Sequence, residues 1–140
     1  MSTSTITIDS TINANSEKVW IYWTSPDHIT KWNFASDDWC CPSAENDLTA
    51  GGKYKARMET KDGSFGFDFE AVYDEIIEHK KIVYTIADGR KVTTTFEKLD
   101  GLTKVTTVFE AESENPIEMQ RDGWQAIMNN FKKYVEGLEY

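Results

Sequence analysis

The sequence predicts an α+β fold: an antiparallel sheet of about six or seven strands, one face of which is covered by a single long C-terminal helix, with two short helices after the first strand. Three observations predict it. In the stretch 115–140, NPIEMQRDGWQAIMNNFKKYVEGLEY, the residues Trp124, Ile127, Met128, Phe131, Tyr134, Val135 and Leu138 recur at helical steps, with Arg121, Gln125, Asn129, Lys132, Lys133 and Glu136 on the other side. Residues 53–109 instead alternate with period two. Short turn signals (Lys61-Asp62-Gly63, Asp88-Gly89, Asp100-Gly101) separate the alternating runs, and hairpins that short join antiparallel strands.

The elements follow in order. Thr5 to Ile12 sets Ile6, Ile8 and Ile12 against Thr5, Thr7 and Asp9, the pattern of a half-buried strand. Asn13-Ala14-Asn15 turns the chain, and Asn15 or Ser16 caps a helix over Ser16–Thr24 that presents Val19, Trp20 and Trp23 together. Pro26 suits a new first turn, which gives a second helix, Pro26–Trp32, carrying Ile29 and Trp32. Residues 33–41 are irregular and aromatic-rich, and a short strand spans Pro42–Leu48. Gly51 and Gly52 make a turn, both free to take positive φ. Lys53–Thr60 points Tyr54, Ala56 and Met58 one way; Ser64–Ile77 does the same with Phe65, Phe67, Phe69, Ala71 and Tyr73, and a parity change predicts a bulge near Ile76 and Ile77. Ile82–Ile86 is the next strand; Val92, Thr94 and Phe96, then Val105, Thr107 and Phe109, supply the inner faces of the last two. Asn115 as cap, Pro116 in the first position and Glu118 in a capping box open the final helix. No linker or repeat interrupts the chain, so residues 1–140 read as one domain.

Composition bounds the function. The chain has 140 residues, 39% hydrophobic and 28% charged, the balance of a soluble globular protein with a real core. No apolar run reaches the roughly 20 residues of a membrane span, and MSTSTITIDS has no basic region before an apolar core, so a cytoplasmic location is expected. With 15 basic against 24 acidic residues, the net charge of -9 disfavours nucleic acid and anionic membrane surfaces as partners. Cys40 and Cys41 are neighbours, which disfavours a relaxed disulfide between them, and two distant histidines supply too few ligands for zinc. No metal site and no cofactor are expected. Gly51-Gly52 opens a strand rather than a helix, so it does not cradle a phosphate.

Four stretches taken together resemble a known family. Asn15-Ser16-Glu17-Lys18-Val19-Trp20 with Ser25-Pro26-Asp27-His28 and Trp32 is similar to its first helix and elbow. Asp47-Leu48-Thr49-Ala50-Gly51-Gly52-Lys53-Tyr54 is similar to its acidic-Leu-x-x-Gly-Gly turn, and Phe69-Glu70-Ala71-Val72-Tyr73-Asp74-Glu75-Ile76 to the strand that follows. Gly123-Trp124 with Met128, Phe131 and Tyr134 is similar to its closing helix. The chain thus resembles the START-like (SRPBCC) helix-grip superfamily, in the bacterial branch homologous to the C-terminal domain of the activator of the ninety-kilodalton heat-shock protein ATPase. The resemblance implies a sheet curved round the last helix, an apolar cavity between them, and a binding or co-chaperone-like role. After Trp32 the chain carries Asn33-Phe34, where many relatives have a second large aromatic directly.

The expected cavity wall is Trp20, Trp32, Phe34, Trp39, Tyr54, Met58, Phe67, Phe69, Tyr73, Phe96, Arg121, Trp124 and Met128. Aromatic rings and flexible methionines at inner-face and loop positions suit a small apolar or amphipathic ligand, although each ring alone also suits an ordinary core. Residues 121–128 of the last helix are expected to face the cavity, and 131–138 to be core. Arg57 shares parity with lysines and reads as surface; Arg121 suits either a ligand carboxylate or solvent. Asp37 and Asp38 read as a solvated loop, against a polar gate or paired acid. His28 and His79 lack a companion nucleophile at readable spacing, and Cys40 and Cys41 lack a nearby base, so no catalytic residue is assigned. A ligand-binding module is therefore the first reading. A module touching a chaperone ATPase is the alternative, and a cyclase- or hydrolase-like enzyme, as found elsewhere in the superfamily, the third. Monomer and homodimer both remain open.

Overall fold

The computed structural model describes residues 4–138, except for the side chain of residue 138. The expected packing of Leu138 and the helical positions Glu139 and Tyr140 lie outside the described residues. Among the described residues ten elements follow one another: β1 (Thr5–Ile12), α1 (Ser16–Thr24), α2 (Pro26–Trp32), β2 (Trp39–Asn46), β3 (Lys53–Thr60), β4 (Gly66–Ile77), β5 (Lys81–Ile86), β6 (Lys91–Leu99), β7 (Leu102–Glu110) and α3 (Ile117–Leu138). The strands form one antiparallel sheet in the order β1-β7-β6-β5-β4-β3-β2, which curls into a half-barrel round α3.

The alternation read from the sequence decides which face is buried. Ile6 and Ile8, Val92, Thr94 and Phe96, and Thr103, Val105, Thr107 and Phe109 are all buried. Their odd–even neighbours face away from the core, because side chains of a strand alternate. On α3 the same selection falls on Met128, Phe131 and Val135, the last two at 0% exposure. The helix packs on β1 and against α1 and α2. The Asn15 side chain caps α1 by accepting from the Lys18 N–H at 2.9 Å. Thr103 Oγ1, fully buried, donates to the Ala14 carbonyl at 2.8 Å and thereby ties the entry of α1 to β7.

Several boundaries differ from expectation, each for a physical reason. β2 begins at Trp39 and ends at Asn46, not Pro42 to Leu48: Trp39 and Cys40 pair with Thr60 and Glu59, and Pro42, which has no N–H, falls in the bulge between Cys40 and Ser43. β4 starts at Gly66 because Ser64 is held in the preceding turn by Asp62, whose Oδ1 accepts from the Ser64 N–H and hydroxyl at 2.9 and 2.7 Å. The bulge of β4 lies at Asp74, between Tyr73 and Glu75, rather than near Ile76 and Ile77. α3 is not opened by a capping box on Glu118. The buried Gln120 instead reaches back, accepting from the Glu112 N–H at 2.9 Å and donating to the Asn115 carbonyl at 2.8 Å, while the Asn115 amide turns to the Glu112 carboxylate.

Of the two turn glycines, only Gly51 has positive φ, at 86°. Gly52 is required for space: a Cβ there would sit 2.2 Å from the Asp47 carbonyl oxygen. The turn also holds β4 in place, since Gly51 N–H donates to the Tyr73 carbonyl at 2.8 Å and Tyr73 N–H to the Gly52 carbonyl at 2.9 Å. Because the obstructing atom is backbone and cannot swing aside, Gly52→Ala is expected to destabilise the fold by about 3 kcal/mol. Urea unfolding checks this; a midpoint equal to the parent's contradicts it.

Candidate functional site

The curl of the sheet leaves a hollow of about 180 Å³ beneath the first half of α3. Cross-strand register builds its floor. Ile8, Thr107, Thr94 and Ile82 form one row across β1, β7, β6 and β5, each paired with the next. Tyr84 and Tyr73 pair in the neighbouring row. Tyr54, Met58, Phe67 and Phe69 come from the β3–β4 hairpin, where Met58 faces Phe67. Trp124, Ile127 and Met128 form the roof from α3, and Trp23, Trp32 and Asn33 close the end beneath α1 and α2.

The aromatic rings hold one another. Tyr54 and Tyr84 lie nearly parallel, with centroids 6.1 Å apart, and Phe69 meets both edge-on at 6.0 and 6.1 Å. Trp124 stacks on Phe109 at 4.0 Å, which fixes the roof against β7. Trp23 stacks on Trp32 at 5.0 Å, and Phe131 meets both rings edge-on. Such pairs contribute roughly 0.5–1.5 kcal/mol each beyond their buried area, enough to keep a wall in place around an empty space.

Hydrogen bonds anchor the polar members of the wall to the elbow between α1 and α2. Tyr73 Oη donates to Asn46 Oδ1 at 2.6 Å, and the Asn46 amide donates to the Thr24 carbonyl at 2.5 Å. The Asn33 amide donates to Tyr54 Oη at 3.1 Å. Asn33 therefore positions a ring of the hollow. Thr94 and Thr107 share a 2.9 Å bond between their hydroxyls. Among the described residues, no protein group bonds the hydroxyl of Tyr84.

The lining includes no carboxylate, ammonium, guanidinium, imidazole or thiol from the described residues. Burial pushes the Tyr54, Tyr73 and Tyr84 hydroxyls well above the ordinary tyrosine range, and for Tyr54 and Tyr73 neighbouring tyrosines add to it. All three remain neutral hydrogen-bonding groups at physiological pH. Cys41 is pushed up to about 11, first by burial and then by Cys40, and so is a thiol rather than a nucleophilic thiolate. Among the described residues no three His, Cys, Asp or Glu side chains converge on a metal-sized site.

Of the residues singled out from sequence, Trp32, Tyr54, Met58, Phe67, Phe69, Tyr73, Trp124 and Met128 meet at this hollow. The other five lie elsewhere. Trp20 and Phe96 pack on each other at 5.3 Å beneath α1, since inner-face parity does not say which helix lies above a residue. Trp39 meets Phe65 and Phe67 at 5.8 and 6.1 Å near the β3–β4 turn. Phe34 sits in a shallow surface depression with Asp37, Asn130 and Lys133. Arg121 is exposed on α3. The hollow also has lining that sequence reasoning missed: Ile8, Trp23, Asn33, Ile82, Tyr84, Thr94, Thr107 and Ile127. The strand residues among them carried a signal, their inner parity; the register that gathers them into rows did not show in any one strand.

The raised tyrosines set a pH dependence. Their folded values exceed the unfolded one, so the unfolded chain loses these protons first, and stability falls as pH rises above about 10. With three such groups the slope approaches about 4 kcal/mol per pH unit above that point. Urea titrations at pH 8 and pH 11 check this. Equal stability at both contradicts the neutral, buried state of the three hydroxyls.

Comparison with known proteins agrees with this geometry. The family model described as "Activator of Hsp90 ATPase homolog 1-like protein" matches residues 13–136. An AHSA1-like protein from Aeromonas hydrophila, solved by NMR, is 38% identical, with a TM-score of 0.92 over 97% of this chain and 94% of its own. A protein from Cytophaga hutchinsonii is 48% identical, with a TM-score of 0.82 over 96% and 94%. A crystal structure from Chromobacterium violaceum, at 24% identity and a TM-score of 0.85 over 95% and 98%, shares the fold. No curated protein matches the chain. With a family match over most of its length and this helix-grip architecture, the chain belongs to the Activator of Hsp90 ATPase homolog 1-like family.

Proposed function

We propose that this protein is a binding module that takes a small apolar or amphipathic molecule into the hollow between α3 and the sheet. One observation carries the reading: the hollow of about 180 Å³ is walled mainly by rings and aliphatic side chains, with a few neutral hydroxyls. A cavity of about 150 Å³ lined by apolar groups is known to stay dry and take up benzene. Drug-sized pockets run from about 300 Å³ upward. By that measure the occupant is the size of one ring with a short substituent. Phe67 lines the hollow and is also 43% exposed, which makes the β3–β4 end its natural entrance. Neutral tyrosines and threonines offer hydrogen bonds rather than acid–base or nucleophilic chemistry at neutral pH, which favours binding over catalysis. Among the described residues no helix is long and apolar enough to cross a membrane, and in this reading the protein acts in the cytoplasm.

The family description supports a second reading, contact with a chaperone ATPase. The outer face that would serve it is largely self-paired across β3 and β4: Asp68 meets Arg57 at 3.6 Å and Lys55 at 3.9 Å. Exposed Val72 is an apolar point on that sheet. Unchanged ATPase turnover on adding this protein to a chaperone of that class would remove the second reading.

Toluene, followed by amide NMR shifts, tests the first reading. Saturable shifts are expected at Tyr84, Thr94, Trp124 and Ile127. Ile127→Trp, which fills part of the hollow from the roof, is expected to weaken uptake by at least about tenfold while the protein stays folded. An absence of saturable shifts in the parent protein overturns the reading.

A further inference from the structure

Thr94 and Thr107 present a balance of protons that the protein alone does not close. Each hydroxyl has one proton and two acceptor positions. They share one bond, at 2.9 Å, and either can be its donor. Whichever donates, the other's proton has no further protein acceptor among the described residues. The pair is 1% and 3% exposed, and both side chains line the hollow. A buried hydroxyl proton without an acceptor is costly, and native interiors rarely leave one so. Among the described residues no protein group bonds the hydroxyl of Tyr84, which also lines the hollow.

We infer that the occupant is a neutral ring-sized molecule carrying a hydrogen-bond acceptor, a ketone or hydroxyl oxygen, which receives the spare proton of the Thr94–Thr107 pair. The inference rests on the binding function proposed above and adds the chemical class of the ligand. Three features select this class. The floor supplies a donor that a hydrocarbon leaves unsatisfied. The rings of Tyr54, Phe69 and Tyr84 provide faces and edges for a planar apolar body. Among the described residues no cationic side chain lines the space, so a carboxylate or phosphate would enter without a counter-charge. Discrimination by a buried donor is asymmetric: a ligand with the acceptor gains one bond, whereas a ligand without it leaves the donor orphaned.

The test compares three probes of similar shape: acetophenone, ethylbenzene and benzoate. Affinity is read from NMR titration of the parent protein and of the Thr94→Val/Thr107→Val double variant, which keeps side-chain shape and removes both hydroxyls. In the parent, acetophenone is expected to bind about tenfold more tightly than ethylbenzene, and benzoate more weakly than either. In the double variant the preference for the ketone is expected to vanish, with ethylbenzene bound at least as well as before. Equal affinity for ketone and hydrocarbon in the parent, as a fixed enclosed water on the pair would produce, overturns the inference and leaves the binding function standing. Tighter binding of benzoate than of the ketone overturns it too. Failure of all three to bind removes both. The comparison within the parent protein does not depend on the variant folding.

Discussion

A 22-residue helix has to be held inside a sheet that curls round it, and most of the structure follows from how that is done. The C-terminal part of α3 is fastened by complete burial: Phe131 and Val135 have no exposed surface, and Phe131 sits edge-on to Trp23 and Trp32. The N-terminal end is fastened differently, by Gln120 reaching back to the backbone of the 112–115 turn. Between the two anchorages the roof is set by Trp124 stacking on Phe109. The rings that hold the helix up also keep it from closing on the floor, and the hollow is the space left over. A densely packed interior would normally collapse around such a void, because every unfilled contact forfeits dispersion energy. Here the cross-braced aromatics resist that collapse.

The polar part of the wall is organised by the same logic. Apart from the bond between Thr94 and Thr107, its hydrogen bonds run outward to the elbow. Asn33 holds Tyr54, Asn46 joins Tyr73 to the Thr24 carbonyl, and the Asn130 amide ties α3 to the Trp32 carbonyl at 2.8 Å. Each of these bonds fixes a ring or a helix end and leaves the interior neutral. The elbow of α1 and α2 is therefore the brace that keeps the far end of the hollow open. The glycine turn before β3 plays the matching part on the sheet side, because Gly51 and Gly52 bond the backbone of Tyr73.

Much of this was legible in the chain. The alternation of Tyr54, Ala56 and Met58, and of Val105, Thr107 and Phe109, named the inner faces correctly, and Asn15 and Pro26 marked the helix starts where they are found. What could not be read was register. Phe96 and Thr94 share a strand and a face, yet Thr94 meets the hollow and Phe96 lies under α1, next to Trp20. Only the pairing of β6 with its neighbours separates them. Tyr84 was hidden for the same reason. Gln120 was hidden for another: a polar residue on an amphipathic helix reads as solvent-facing, and the turn that it satisfies does not exist until the helix is docked. Large rings in the loop that carries Phe34 and Trp39 suit a rim as well as an inner wall, and the sequence does not distinguish the two.

Uptake of a small molecule requires the space beneath α3 to be open, apolar for most of its wall, and reachable. The most direct measurement is a crystal structure of the protein under xenon pressure, since xenon enters apolar cavities of this size without needing a polar partner. One xenon site bounded by Phe69, Tyr84, Trp124 and Met128 is expected, with the wall unmoved. An interior free of xenon, with Trp124 or Phe69 folded into the space, would contradict it.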